Sequence, residues 1–486
     1  MNDIPLASDL PDPRRWLALA VLLTGAFLGP LDFFIVNVAM PAIGRGLRAS
    51  PADIQLVISG YAVVYAVSLI TGGRLGDLFG RKRIFMFGLA GFAVASGLCG
   101  LAWSPRVLIA SRLLQALTAA AMAPQALASI HALFPPRERA RALSIYSLVI
   151  ALSSVVGQLL GGALVSADLG GLGWRLVFLV NLPVSLAALV AAAVLVRDSS
   201  SSRRPRLDLV GMLLSAAALT ALVVPLIEGR ERHWPWWCVA LLIAAAPLGE
   251  AFRRWEVRLA ARGGEPLVAM EIFRAPGLLR GLGAIATLYA LAAFFLTYAI
   301  WLQAGLGLSA LQSGLGILPV SAGLLTGSFL SPAVGRWAGL ASSSLGYLVS
   351  AAGLVATSQV VAAMPAGALP PLVLLVPALA LIGLGVGFTL PTMMRVVVER
   401  VDQRRAGLVG GLVNTMLQIS AALGVAVLGG LFFTLRGDRS DPGAIAQAFA
   451  ATLLGVAACH LLGAALAAGL GQRRQRPAAS VARIGG

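Results

Sequence analysis

What most limits this chain is a succession of long apolar runs, each ended by a short polar break. A helix that crosses a membrane needs about 20 mostly apolar residues, because its backbone polar groups must be satisfied within the segment itself. On that template about fourteen segments qualify. They begin near Trp16, Ile54, Ile84, Val107, Ser144, Trp174, Leu209, Trp236, Leu282, Gly314, Leu345, Pro371, Leu408 and Ala446. The seventh and eighth are the least regular, since the apolar run from Trp236 to Glu250 is short. Hydrophobic residues make up 58% of the 486 and charged residues only 12%, about half the roughly 25% of soluble domains. A water-soluble core cannot absorb that much apolar surface. The expected fold class is therefore an all-α polytopic membrane protein.

The basic residues test the span count independently. With a cytoplasmic N-terminus, the inner segments hold Arg14 and Arg15, then Arg74, Arg81, Lys82 and Arg83, then Arg137, Arg139 and Arg141. Next come Arg197, Arg203, Arg204 and Arg206, and a connection from the eighth to the ninth span carrying Arg253, Arg254, Arg258, Arg262, Arg274 and Arg280. The last inner segments hold Arg336, Arg395, Arg400, Arg404, Arg405, Arg473, Arg474, Arg476 and Arg483. About 28 of the 37 basic residues then lie inside, as the positive-inside rule requires of fourteen spans with both termini cytoplasmic. The net charge of +17 is thus spread over loops, which suits anionic lipid headgroups and not nucleic acid. Cys99, Cys238 and Cys459 fall in apolar stretches without disulfide or metal spacing, so they read as small buried hydrophobes. The apolar run after Arg15 is longer than a signal peptide's and holds Asp32, so it reads as an uncleaved first helix.

An internal repeat relates the two ends of the chain. The fourth span carries Ala123-Pro124-Gln125 and leads into the loop 136–142; the twelfth carries Leu390-Pro391-Thr392 and leads into 402–407. Glycines follow in both places, Gly157, Gly161 and Gly162 in the fifth span and Gly407, Gly410 and Gly411 in the thirteenth. Spans one to six therefore match nine to fourteen, with seven and eight inserted. The expected domains are a cytoplasmic N-terminus at 1–15, a six-helix bundle at 16–197, two inserted helices at 198–277, a second six-helix bundle at 278–471 and a cytoplasmic tail at 472–486. Parallel six-helix halves around a central site are a transporter design.

The segment Gly73-Arg74-Leu75-Gly76-Asp77-Leu78-Phe79-Gly80-Arg81-Lys82-Arg83 resembles the signature of the major facilitator superfamily between its second and third spans. Gly72, Gly76 and Gly80 recur every four residues, which offers one helix face to a neighbouring backbone. Asp77 is a carboxylate beside Arg81 that can face a neighbouring helix N-terminus. The resemblance implies a cytoplasmic gate made of Gly73, Gly76, Asp77, Gly80, Arg81 and Lys82. A finer resemblance is to the fourteen-span drug:proton antiporter subfamily. It rests on Leu31-Asp32 with Ile35 to Pro41, on Trp174-Arg175 through Phe178, Asn181 and Pro183, and on Trp301-Leu302-Gln303 with Gly307 to Pro319. Asn414 and Gln418 fall where that subfamily has polar residues in span thirteen. Asn37, Gln115, Gln158, Trp301, Gln303, Asn414 and Gln418 are then the candidates for a substrate cavity, and Gly157, Gly161 and Gly162 for close helix packing.

Two ionisable residues lie well inside spans, where charge is expensive and marks function by default. Asp32 is about 24 Å along the first helix, some 6 Å from the outer side, and Arg112 is roughly 8 Å into the fourth. Arg112 with Gln115 matches the family's fourth-span motif, which is associated with proton coupling. A carboxylate whose distance from a cation changes between conformations changes its proton affinity, so Asp32 and Arg112 are the expected coupling pair. His460 lies mid-span in the last helix, where it could relay protons or, as is commoner for such a histidine, simply hydrogen-bond between helices. The fifth span departs from the exporter pattern, with Gln158 where proline is usual after Gly157. The expected function is proton-coupled efflux of small lipophilic compounds, driven by a proton gradient, without cofactor or metal and without enzymatic activity. The alternative is a symporter importing a small organic solute. The expected setting is a bacterial cytoplasmic membrane, with the protein a monomer among lipids.

Overall fold

The computed structural model describes residues 14–196, 207–339, 341–365, 367–398 and 406–471. Among the described residues, fourteen helices are long and apolar enough to cross a membrane. The first six are α1 (Arg15–Leu47), α2 (Pro51–Phe79), α3 (Arg81–Gly100), α4 (Pro105–Leu133), α5 (Pro136–Ala167) and α6 (Gly173–Leu195). Then come α7 (Leu209–Glu231) and α8 (Trp236–Ala261). The last six begin with α9 (Leu278–Gly305), α10 (Ala310–Ala338), α11 (Ala341–Ala362) and α12 (Leu372–Val398). They end with α13, which runs from Ala406–Gly424 through a π-helical turn at Val425–Gly429 into Gly430–Arg436, and α14 (Pro442–Gly471).

Several helices start before their apolar run because a polar cap sets the start. Ser50 and Asp53 form a reciprocal capping box around Pro51, Ser104 caps α4 ahead of Pro105, and Ser309 with Gln312 caps α10. α8 differs from its sequence reading more substantially. It continues past Glu250 to Ala261, so Arg253, Arg254 and Arg258 lie on the helix and not in a loop. The extension is amphipathic, with Glu250 paired to Arg253 and Arg254 one turn on, each at 2.7 Å. Arg197, Arg203, Arg204, Arg206, Arg400, Arg404, Arg405 and the basic tail from Arg473 lie outside the described residues.

One packing pattern occurs twice. α4 sits between α2 and α3, and α12 sits between α10 and α11. The proline-bearing segments noted in the sequence occupy equivalent places. In the first, Gln125 donates to the Gly72 carbonyl at 2.8 Å; in the second, the Thr392 and Ser331 hydroxyls meet at 3.3 Å. Glycine makes these crossings close. A Cβ on Gly88 would lie 2.9 Å from the Thr118 carbonyl, and one on Gly353 2.7 Å from that of Ala378.

Contacts between the first and last six helices gather toward the end where α1 finishes and α2 begins. There Gln303 donates to the Val38 carbonyl at 2.9 Å, Ser59 to that of Ala422 at 3.2 Å, and the Leu311 amide to the Ser166 hydroxyl at 2.9 Å. Phe34 meets the edge of Phe295 at the same level. α7 covers the seam between α2 and α13 with Val223 and Ile227, while α8 lies outside it, against α7.

Candidate functional site

Asp32 is fully buried, close to the middle of α1. The sequence reading put it some 6 Å from the outer side, but α1 continues through Pro41 to Leu47, which leaves about 22 Å of helix beyond it. The carboxylate is surrounded by N–H donors from three residues on two other helices. Arg112 of α4 donates from Nη1 to Oδ2 as an ion pair. Oδ1 accepts from Gln115 Nε2 at 2.8 Å and from Asn181 Nδ2 of α6 at 3.0 Å. Ser96 of α3 supports both amides, its Oγ lying 2.7 Å from Gln115 Nε2 and 3.4 Å from Asn181 Nδ2.

The guanidinium is equally enclosed. Arg112 is 1% exposed. Its Nη1 reaches Gln115 Oε1 at 2.6 Å, its Nε reaches the Val57 carbonyl at 3.4 Å, and its Cζ lies 4.1 Å from the centre of the Tyr61 ring. A cation over an aromatic face in a dry setting gains up to about 2 kcal/mol. The pair therefore sits in a shell of polar and aromatic groups drawn wholly from the first six helices. Three N–H donors on one carboxylate favour the anion, and hydrogen bonds to ionised groups are the strong ones.

The structure brings together Asp32, Arg112 and Gln115. Gln115 shares a face of α4 with Arg112, three residues away, and so belongs to the ion pair's shell and not to an open cavity wall. The other cavity candidates lie apart. Asn37 is buried and turns its amide back to the Phe33 carbonyl at 2.8 Å. Gln158 is buried in α5, and its own carbonyl packs on Gly314 of α10. Trp301 stacks on Phe449 at 5.0 Å inside the last six helices, and Gln303 forms the link to Val38. Gln418 is half-buried, while the side chain of Asn414 lies outside those described. His460 is buried and bonds its own helix, Nδ1 to the Val456 carbonyl at 2.9 Å, so the expected bond between helices is absent at that nitrogen.

The loop signature folds onto the first six helices. Gly72 and Gly76 face α4, and a Cβ on Gly73 would lie 3.6 Å from that of Pro124. Gly80 is not on that face, contrary to the four-residue spacing. α2 ends at Phe79, and Gly80 turns the chain into α3 at φ 98, a conformation glycine adopts without strain. Asp77 bonds Arg81 at 3.0 Å, and Arg81 donates to the Ala128 carbonyl at 2.9 Å. Lys82 reaches the Ala193 carbonyl at 2.8 Å. Asp77 thus pairs within its own segment in this state.

Sequence reasoning gave no role to Ser96, Tyr61 or Asn181. Asn181 had a signal, its place in the sixth-span segment from Trp174 to Pro183; Ser96 and Tyr61 had none that separates them from other polar residues in apolar helices.

Comparison with known proteins gives a consistent answer. The family model described as Major Facilitator Superfamily matches residues 22–425. The chain is 39% identical over 432 residues to the probable actinorhodin transporter of Streptomyces coelicolor, covering 88% of this chain and 74% of that one. It is 36% identical over 434 residues to the tetracenomycin C resistance and export protein of Streptomyces glaucescens, covering 87% and 77%. Among solved structures, a bacterial homologue of the human lysosomal transporter Spinster, in an inward-facing and unoccupied conformation, superposes with a TM-score of 0.68. That alignment covers 95% of this chain and 98% of the other at 19% identity, a likeness of fold.

Proposed function

Because the chain belongs to the Major Facilitator Superfamily, we propose that this multi-pass bacterial membrane protein exports small lipophilic compounds in exchange for protons. The observation that supports this reading best is the Asp32–Arg112 pair, sealed inside the first six helices. Burying such a pair in lipid is costly, and a bundle built only to be stable gains more from apolar residues of the same volume. The names of the similar proteins, which speak of actinorhodin transport and of tetracenomycin C resistance and export, favour drugs, antibiotics or secreted metabolites as cargo.

Residues 16–197 and 278–471 form the rocking halves of this transporter, with 198–277 as the insertion, both termini in the cytoplasm and the whole in the cytoplasmic membrane. The protein acts as a monomer among lipids. In that orientation the end at which the halves meet is the outer one, and the state described is closed to the outside. Here the Asp32 carboxylate accepts from Arg112, Gln115 and Asn181 together. Three of its four lone-pair positions are filled and the group is fully buried, so a proton reaches it most readily when α1 shifts against α4 or α6. Asp32 takes up its proton when the halves part on the outer side and returns it when the shell reforms. Arg112 drives the release, because the cation favours the anionic carboxylate.

The test uses inside-out vesicles energised with a proton gradient. Lipophilic dyes or antibiotics that collapse the gradient in wild type but not in Asp32→Asn support coupled export. Equal collapse in both removes Asp32 from coupling. Raised uptake of a nutrient by expressing cells would instead establish the import reading.

A further inference from the structure

A second pair of buried acids lies at the opposite end of the molecule from the outer seam, on the two inserted helices. Asp208 directly precedes α7 and is 5% exposed; Glu256 is on the last turns of α8 and is fully buried. Each carboxyl has one oxygen engaged. Asp208 Oδ1 caps α7 by accepting from the Gly211 amide at 2.8 Å and also accepts from the Trp255 indole at 2.8 Å. Glu256 Oε2 accepts from the Val268 amide at 2.8 Å. The other two oxygens, Asp208 Oδ2 and Glu256 Oε1, are buried and have no donor among the described residues. Both crowd the same point above Gly211, where a Cβ would strike each of them, so the two free oxygens face one another across it.

Two acceptors facing each other out of water, with no donor between them, do not both stay ionised. A hard cation does not suit the place, since it takes six or more oxygens, and the two buried carboxyls have no third acidic, His or Cys group beside them among the described residues and no open side from which waters could supply the rest. We infer that Asp208 and Glu256 hold one proton between them, forming a proton-binding site distinct from Asp32. The proton resides on Glu256 Oε1 and is donated to Asp208 Oδ2. Asp208 is assigned the acceptor's part because its other oxygen already accepts two N–H groups, against one for Glu256.

The site joins parts of the molecule that are far apart in sequence. Through Val268, Glu256 holds the strap of residues 262–269 that leads into α9. Arg74 of the loop signature grips the same strap from α2, donating to the Glu265 carbonyl at 2.8 Å and to that of Pro266. The charged groups within electrostatic reach are Arg74, which feels Asp208, Glu256 and Glu265, and the acids themselves. Arg203, Arg204 and Arg206, just before Asp208, lie outside the described residues. Loss of the shared proton replaces a hydrogen bond with repulsion at the point where the strap is anchored, and draws Arg74 from the strap carbonyls toward the acids. The strap therefore loosens as the proton leaves.

The experiment is infrared spectroscopy of the full-length protein in lipid nanodiscs, without substrate, so that its result does not depend on any reading of transport. At neutral pH the wild type is expected to show the carbonyl stretch of a protonated carboxylic acid that persists in Asp32→Asn and disappears in Glu256→Gln. Glu256→Gln keeps a donor toward Asp208 and so preserves the fold. Hydrogen–deuterium exchange of residues 262–269, corrected for the intrinsic pH dependence of amide exchange, gives the second readout. Protection in the wild type is expected to fall as the band is titrated away, while in Glu256→Gln it stays level. A spectrum in which Glu256→Gln removes no protonated-acid band, or strap protection in the wild type that ignores the titration, overturns the proposal.

Discussion

Replacing both members of the Asp32–Arg112 pair is expected to cost less than replacing either one. In Asp32→Asn the amide must turn its NH2 group either toward the Arg112 guanidinium or toward the Gln115 and Asn181 amides, so a donor faces a donor whichever way it flips. Arg112 keeps Gln115 Oε1 at 2.6 Å and the Tyr61 face, but loses its counter-charge. In Arg112→Met the carboxylate keeps two neutral N–H donors and no cation. Removing one partner of a buried pair costs about 3–5 kcal/mol, whereas replacing both by groups of similar volume is often near neutral. The double variant Asp32→Asn/Arg112→Met should therefore be more stable than the sum of the single costs by at least about 2 kcal/mol, at the upper end of couplings between touching residues. The assay is titration of the purified protein in mixed micelles with a denaturing detergent, followed by tryptophan fluorescence, on the wild type, both singles and the double. Costs that add to within about 0.5 kcal/mol, the tolerance for independent sites, would show that the two groups do not form an energetic pair.

The other expectations are local. Gly157→Val places a Cβ 2.8 Å from the Leu31 carbonyl oxygen and should lower stability by about 1–3 kcal/mol by levering α5 off α1. Gly29→Ala, with nothing within 4 Å of its Cβ, is the matched control and should unfold at or above the wild-type temperature. Ser50→Ala removes the cap of α2 and should cost about 1 kcal/mol, read as a lower thermal midpoint. The bond from Arg15 at 2.8 Å holds the Glu138 carboxyl below its usual range. A lowered value in the folded state means that this contribution is complete above the ordinary carboxylate range and fades as pH falls through the lowered value. The thermal midpoint of Glu138→Gln should consequently fall less steeply on acidification than that of the wild type.

Charge was the feature most legible in the sequence, and rotation of a helix about its axis the least. Asp32 and Arg112 stand out because an ionisable group in a long apolar run has few structural reasons to be there. Ser96, Tyr61 and Asn181 do not stand out, since uncharged polar and aromatic residues are common in membrane helices. Whether such residues reach a given carboxylate depends on how α2, α3 and α6 are turned, which glycine packing decides. Hydropathy also measures solvent and not helicity. It ended the eighth span near Glu250, while the backbone continues for further turns as an amphipathic helix. That is why Glu256 read as part of a polar connection, although the strap beneath α8 buries it completely. Gly80 shows the converse error. A four-residue spacing is evidence for a helix face only while the helix lasts, and α2 stops one residue short of it.

The chemistry and the movement are joined through α5. A Cβ on Gly157 would press the carbonyl of Leu31, the residue before Asp32, and one on Gly161 would press that of Ile35, a turn further along α1. Gly162, one position on, faces away from α1 to Ala310 and Leu311 of α10, while Gly314 of α10 lies against the Gln158 carbonyl. Consecutive glycines on one helix therefore set both the distance from α5 to the segment of α1 that carries Asp32 and the distance between the halves. Other cross-half links at that end are hydrogen bonds such as those of Gln303 and Ser59, each worth about 1 kcal/mol net, and apolar contacts such as Phe34 against Phe295. The glycine contacts do not stretch independently of one another. A displacement of α10 away from α5 relieves the Gly162 and Gly314 contacts first and frees α5 to shift along α1 beside Asp32. If Asp32 is the coupling site proposed above, its proton affinity can then follow the position of the last six helices, though among the described residues none of their side chains bonds the carboxylate.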